Sequence, residues 1–405
     1  MTDGSSRGTG TNGTGGAGGT SGAGGTGGTK RTNGARPATG RAAVAYGPGR
    51  MEIREYPVLA PEPEQALVRV TMATICGSDL HTWRGEMGGR GSAPPVASIP
   101  GHEMTGRIQA LGAGWATDTL GRLLREGDRV AFSFFNPCGR CWACLSGTAR
   151  CPHRYRLRAP ADEPPHFHGA YAEYHVVKPG QWVFKVPDGL PDDLVAPANC
   201  ALSQVVYALH RIGVWLGDTV LIQGAGGLGL CATAVAKEMG AGQVIVVDRI
   251  AERLALARAF GADATIDLAE LPEAADRVRF VHERTEGRGA DVALEVAGVP
   301  AVVQEGLELL RYGGRYCLVG NIVPGARGEV VPHDVVRGSR EVLGVVGYEA
   351  WALPRALDFL ARTRERYPFH RLVSHRYPLE EINRAFEEAD WALSQGKVTR
   401  AALIP

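Results

Sequence analysis

Long apolar runs are missing from this 405-residue chain. Nothing approaches the roughly eighteen consecutive apolar residues of a membrane span, and the N-terminus carries no apolar stretch of the signal-peptide kind. The cytoplasm is therefore the expected compartment, and no membrane partner is expected. An excess of one charge is missing too: Lys and Arg total 44 against 43 Asp and Glu, a formal net charge of +1. That balance gives no electrostatic case for nucleic acid as a partner. Large apolar side chains are missing from the first forty residues, which hold fifteen of the 55 glycines and no Leu, Ile, Val or aromatic residue. Such a segment has nothing to bury. Residues 1–40 are expected to form a disordered Gly/Thr-rich tail, and the lack of an amphipathic face argues against a transit peptide.

Cysteine is sparse, eight in all, yet four cluster in FFNPCGRCWACLSGTARC at Cys138, Cys141, Cys144 and Cys151. In a reducing compartment a disulfide knot is disfavoured. A thioredoxin-like reading needs one reactive pair at a helix start, not three thiols in step followed by a fourth. Metal binding is left in front. The remaining composition, 44% hydrophobic and 21% charged, is that of a globular protein long enough for two domains, with small-molecule chemistry as the expected business.

From residue 41 to about residue 198 the text is strand-like and turn-rich, with runs such as MEIREYPV, QALVRVTMATIC and DRVAFSFF between Gly and Pro. This predicts a β-rich domain. From 199 to 345 apolar strands (TVLIQ, QVIVVD, DVALEV, GRYCLVG) alternate with helical text (GLGLCATAVAKEMG, AERLALARAFG, PAVVQEGLELLRYG). That alternation predicts an α/β fold, a parallel sheet covered on both faces. Residues 346–405 end in a helix and a short strand, expected to return to the first domain.

Between the first strand and helix of the second half stands GAGGLG, with Gly224, Gly226 and Gly229 in the G-x-G-x-x-G positions and Gly227 and Leu228 between them. A plain tight turn is the bland alternative, but a buried strand before the motif and a helix after it favour a pyrophosphate held at the helix N-terminus. Asp248 ends the next strand, where a carboxylate can accept hydrogen bonds from ribose hydroxyls and repel a 2′-phosphate; this favours NAD over NADP. Its alternative role is to cap the following helix. Arg249 weakens the choice, since a basic neighbour tolerates a phosphate.

CGSDLH supplies Cys76, Ser78, Asp79 and His81, PGHE supplies His102 and Glu103, and APANCALSQ supplies Cys200. Two thiols and an imidazole suit a catalytic zinc with one open position. Spacing alone leaves packed cysteines and a packed histidine as the commoner reading.

Taken together and in this order, CGSDLH, PGHE, CGRCWAC with a following Cys, GAYAEY, NCALSQVVYAL, GAGGLG and GGRYCLVG resemble the zinc-dependent medium-chain dehydrogenase/reductase family, over essentially all of residues 41–405. The resemblance implies a GroES-like catalytic domain over 41–198, with a structural zinc lobe at about 136–155, and a Rossmann doubly wound coenzyme domain over 199–345. It implies two zinc ions per chain, one held by Cys76, His102 and Cys200 with Glu103 beside it, the other by Cys138, Cys141, Cys144 and Cys151. The loop before Cys151 is one residue shorter than the family pattern, which leaves His153 as an alternative fourth ligand. Asp79 resembles the residue that orients the ligand histidine, Ser78 and His81 the proton relay, and Val319 and Gly320 nicotinamide-side contacts. Arg253 joins Asp248 and Arg249 on the cofactor side.

The function so implied is hydride transfer between NAD and an alcohol, with a secondary, cyclic or polyol alcohol suggested by the NCALSQ stretch, in a homodimer or homotetramer. An NADPH-linked aldehyde or ketone reductase is the alternative. A non-catalytic nucleotide sensor, or the zinc-free quinone reductase branch, would show broken zinc positions. Trp83, Phe134 or Phe135 and the segment after Gly344 are expected at the substrate pocket. His166 and His168 are expected in a solvated loop, with a polar substrate as their other reading.

Overall fold

The computed structural model describes residues 38–88, 96–146, 151–153, 159–390 and 399–405. The tail expected over residues 1–40 lies outside them up to residue 37, and Thr39 and Gly40 already belong to β1 (Thr39–Ala45). This strand pairs antiparallel with β2 (Met51–Pro57). Next come β3 (Ala66–Thr74), β4 (Glu103–Leu111), β5 (Arg129–Phe132), β6 (Tyr174–Val177) and β7 (Val183–Lys185). β4 lies between β3 and β5, β7 follows β5, and β6 pairs with β3. The register of β3 on β4 sets Thr74 opposite Glu103. Cys76 and His102, each just beyond those positions, are thereby brought to the same end of the sheet.

The second sheet is wholly parallel: β8 (Thr219–Gln223), β9 (Gln243–Asp248), β10 (Ala264–Asp267), β11 (Ala290–Glu295), β12 (Leu310–Leu318) and β13 (Glu341–Gly344), in the order β10-β9-β8-β11-β12-β13. Every residue of β8 and β11 is buried, as helices on both faces require of a doubly wound sheet. Strand order reverses between β8 and β11, and ligands bind such sheets at that switch point, outside the carboxyl ends of the strands. One expected helix is shorter than its text: it covers Val302–Glu308 and gives way to β12 at Leu310. Pairing with β11 extends the strand into LRYGG, an example of tertiary context overriding local propensity.

After the parallel sheet, the helix Ala352–Thr363 turns a mostly apolar side, including Leu353, Leu357 and Leu360, into the core that contains the helix Ser203–Ile212. The chain then returns to the first sheet: β14 (His375–Pro378) and β15 (Ala401–Ile404) pair in parallel, and β15 lies antiparallel to β3. Among the described residues no helix is long and apolar enough to cross a membrane.

Candidate active site

A cleft of about 1610 Å³ runs from Cys76, His102 and Cys200 to the glycine turn after β8. Cys76 caps the helix Gly77–Trp83, where the Asp79 carboxylate accepts a hydrogen bond from the Cys76 amide at 3.0 Å. The other Asp79 oxygen lies 3.2 Å from His102 Nδ1, and the Tyr171 hydroxyl donates to Asp79 at 2.8 Å. With its proton on Nδ1 facing that carboxylate, His102 presents Nε2 as a ligand atom. Cys200 sits in a π-helical turn, Ala198–Leu202, directly before the helix Ser203–Ile212. Its neighbour Asn199 donates to the carbonyls of His102 and Phe132, both at 3.0 Å, and so ties this turn to the first sheet.

One ligand atom each from Cys76, His102, Glu103 and Cys200 lie within 4.8 Å of one another. Two thiols, an imidazole and a carboxylate form a donor set that suits zinc. The Cys76 thiol is held well below its ordinary range, first by the hydrogen bond with Cys200 and then by His102, while Cys200 is raised. For His102, burial opposes the charged ring, but Asp79 and Cys76 outweigh it and raise the imidazole. Burial pushes the Glu103 carboxyl up to about 7, against the attraction of Arg400. One Glu103 oxygen is saturated: Thr74 Oγ1 donates to it at 2.6 Å and the Arg400 guanidinium pairs with it. The other, Oε1, is buried and has no hydrogen-bond partner among the described residues. An orphaned carboxylate oxygen beside two thiols and an imidazole is what a bound cation would satisfy. The residues therefore fit the zinc that the family pattern implies.

The four clustered cysteines also converge. Cys141 Sγ is 3.6 Å from both Cys144 Sγ and Cys151 Sγ, and Cys138 Sγ is 4.0 Å from Cys144 Sγ. With zinc–sulfur bonds of about 2.3 Å, tetrahedral geometry sets sulfurs about 3.8 Å apart, so the spacing suits a closed four-thiolate site. Cys151 completes the group, its sulfur also 3.4 Å from the Cys138 amide, whereas His153 stands exposed outside it. The short loop does not keep the fourth thiol away.

On the cofactor side, Gly224, Gly226, Gly227 and Leu228 line the cleft. Gly229 lies beneath, where a Cβ would overlap the Gly224 carbonyl oxygen. Asp248, Arg249, Arg253, Val319 and Gly320 line the cleft as well. One Asp248 oxygen accepts from the Ala225 amide at 2.7 Å; the other accepts from Arg249 and Ile250 at 2.7 and 2.9 Å. The carboxylate thus shapes the glycine turn and the entry to the helix Ala251–Ala259 at once.

Ser78 and His81 both face the cleft, with His81 Nδ1 2.5 Å from a Glu86 carboxylate oxygen. Trp83, Phe134, Phe135, Val346 and Gly347 line it as well, and the Phe134 ring lies 4.9 Å from that of His102. His166 and His168 depart from both of their sequence readings. They are buried, 8% and 2% exposed, they do not line the cleft, and their rings hydrogen-bond the Ala161 and Glu163 carbonyls of their own loop. Stacking of His166 on Tyr56 and closure of the loop over β1 and β2 account for the difference.

Several site residues had no motif to announce them. Arg400 pairs with Glu103 and also reaches the glycine turn: a Cβ on Gly227 would fall 3.0 Å from its Nε. Glu295, fully buried at the end of β11, accepts from the Gly298 and Gly320 amides at 2.6 and 3.1 Å and pins the two loops that close the switch point. Tyr171 and Asn199 do lie in quoted motifs, GAYAEY and NCALSQ, but their bonds to Asp79 and His102 depend on distant strands.

A doubly wound sheet with a glycine turn, facing a soft-donor metal group on a β-rich domain, defines a metal-dependent dinucleotide oxidoreductase. The chain belongs to the zinc-binding medium-chain alcohol dehydrogenase family: the alcohol dehydrogenase GroES-like domain matches residues 62–188 and the zinc-binding dehydrogenase family matches residues 227–362. It is accordingly a zinc-dependent, NAD(P)-linked alcohol dehydrogenase-like oxidoreductase. The 5-exo-hydroxycamphor dehydrogenase of Pseudomonas putida is 36% identical over 353 residues, covering 86% of this chain and 94% of that protein. Human sorbitol dehydrogenase is 32% identical over 352 residues, covering 85% and 91%. An alcohol dehydrogenase from Thermotoga maritima superposes with a TM-score of 0.83 at 29% identity, covering 91% of this chain and all of the other.

Proposed function

We propose that this protein transfers hydride between NAD and a secondary alcohol on a ring or a polyol, with Cys76, His102 and Cys200 holding a catalytic zinc and Glu103 beside it. The observation that carries this reading is the convergence of those four side chains at one end of a cleft whose other end is the glycine turn and Asp248. When bound, zinc supplies Lewis acidity toward an alcohol or carbonyl oxygen. Asp79 fixes the tautomer and orientation of His102. Ser78 and His81 take the alcohol proton from the cleft toward solvent, a task suited to an imidazole. Gly224, Gly226 and Gly227 let the backbone approach the cofactor diphosphate, Asp248 meets the adenosine ribose, and Val319 and Gly320 face the nicotinamide. The lobe of Cys138, Cys141, Cys144 and Cys151 holds a structural zinc. None of the eight cysteines is joined in a disulfide, and a cytoplasmic location belongs to the same reading.

The substrate class is supported by two features. Trp83, Phe134 and Phe135 give the cleft an apolar, aromatic wall, and hydroxycamphor and sorbitol, after which two relatives are named, both carry secondary hydroxyls. A second reading, an NADPH-linked carbonyl reductase, is favoured by one observation: Arg249 and Arg253 flank an Asp248 carboxylate that already accepts three backbone hydrogen bonds. Assays with secondary alcohols, cyclitols and the matching ketones, each with both cofactors, separate the two. Faster oxidation with NAD than with NADP is expected; a preference for NADPH and ketone would select the reductase. Cys76→Ala should abolish turnover while NADH binding persists. Lost cofactor binding with metal content unchanged would overturn the assignment of Cys76.

A further inference from the structure

Glu86 stands beside His81 because of how the helix Gly77–Trp83 ends. Arg84 caps that helix, and Gly85 follows in a left-handed conformation with φ +79°. The Gly85 amide donates to the Thr82 carbonyl at 3.0 Å and the Glu86 amide to the His81 carbonyl at 2.9 Å. This pair of bonds is a Schellman ending, in which a glycine folds the next residue back against the last turn of the helix. Local backbone geometry thus sets Glu86 against His81, and its carboxylate comes within 2.5 Å of His81 Nδ1. A nearby cation is engaged elsewhere: the Arg84 guanidinium lies 3.8 Å from the Glu86 carboxylate but grips both oxygens of Asp390, which is buried at the end of the helix Ile382–Ala389. Trp83 packs on Phe386 of that same helix at 5.9 Å, so the corner carrying Glu86 is held against the C-terminal return.

We propose that Glu86 positions His81 for proton transfer: its carboxylate holds the ring with the proton on Nδ1, turns Nε2 toward the cleft, and stabilises the imidazolium formed when Nε2 takes the alcohol proton. The inference rests on the reading of His81 as a relay residue given above. Its physical basis is that an ionised carboxylate accepts hydrogen bonds and cannot donate one, so Nδ1 must be the donor, and the bond made by one ring nitrogen decides the state of the other. The proton count closes: Nε2 gains one proton, Nδ1 keeps its own, and the ion pair with Glu86 carries the added charge until water removes the proton. Glu86 is a positioning residue in this scheme, since it acts through His81. The turn itself uses only the Glu86 amide, which any residue but proline supplies. Its side chain can therefore be changed without removing the bonds that end the helix.

Nitrogen-15 NMR of histidine-labelled protein reads the tautomer without any ligand, the His81 signals being those lost in His81→Asn. The neutral ring of the parent protein should carry its proton on Nδ1, and Glu86→Ala should lose that preference. Single turnovers with NAD and the best secondary alcohol of the assays above read its use. Glu86→Gln should slow NADH formation about tenfold, the difference between a charge-assisted and a neutral hydrogen bond, while NADH affinity stays within about twofold. In a His81→Asn background the same substitution should cost nothing further, because the two residues act as one unit. Glu86→Asp, whose carboxylate falls a methylene short of the ring, should behave as Glu86→Gln does and serves if that variant does not fold. A proton on Nε2 in the parent protein, parent-like single turnovers in the Glu86 variants, or an undiminished cost in the His81→Asn background would overturn the role of Glu86 alone. Parent-like single turnovers in His81→Asn itself would overturn the relay reading, and this inference with it.

Discussion

Asp79 touches no cofactor atom in the proposed mechanism, yet it sets the chemistry of the metal end. It receives the Cys76 amide, the Tyr171 hydroxyl and His102 Nδ1. Asp79→Asn keeps the shape and removes the charge that fixes the His102 tautomer. Metal affinity or turnover should fall by roughly 10- to 100-fold, the usual effect of losing such a partner, and metal titration alongside kinetics measures it. His175 makes a different prediction. It is 1% exposed in β6, stacked on Phe132 at 5.0 Å, and burial pushes its ring down to about 3. The unfolded chain takes up a proton near pH 6.5 that the folded chain refuses until about pH 3, so stability is present above that window and is lost as pH falls through it. His175→Phe should flatten the pH dependence of urea unfolding between those limits. Retention of the full acid slope in the variant would assign the sensitivity elsewhere.

The four-thiol lobe is an element whose order depends on its donors more than on packing. Its short helix, Trp142–Leu145, buries no residue, and Trp142 and Leu145 are 83% and 73% exposed. Of the lobe's described residues only Cys151 is buried, so the sulfur cluster, and not an apolar core, is expected to hold the loop. Metal analysis should give two zinc ions per chain in the parent protein and one in Cys138→Ser, with increased proteolysis around residue 142. A parent protein with a single zinc would mean that the lobe is empty. The strands Thr219–Gln223 and Gln243–Asp248 and the helices after them were legible in the text, because short apolar runs alternate there with helical text. The end of the helix at Glu308 was not, since pairing of β12 with β11 decided it.

At the scale of the molecule, residues of both halves line one cleft, and the chain's C-terminal return joins the first sheet through β15. A ligand contacting both halves adds its binding energy to their association. NADH at a hundredfold excess over its Kd should stabilise the folded state by about 2.7 kcal/mol, read as a higher Tm. At equal molar concentration AMP, which lacks the second phosphate and the nicotinamide ribose, should give a smaller shift because its Kd is higher.

By itself the sequence determined the α/β alternation, the glycine turn and the four-thiol spacing, because each depends on residues close together in the chain. Tertiary structure alone decided the rest. The register of Thr74 opposite Glu103 joins Cys76 to His102, the turn at Asn199 brings Cys200 to them, and the return of the chain sets Arg400 between Glu103 and Gly227. Burial of His166 and His168 was likewise invisible, since a loop rich in Pro and charge reads as solvated until strands close over it. Local patterns follow from the geometry of the backbone, whereas convergence of distant side chains follows from sheet register and from which faces the two cores bury together.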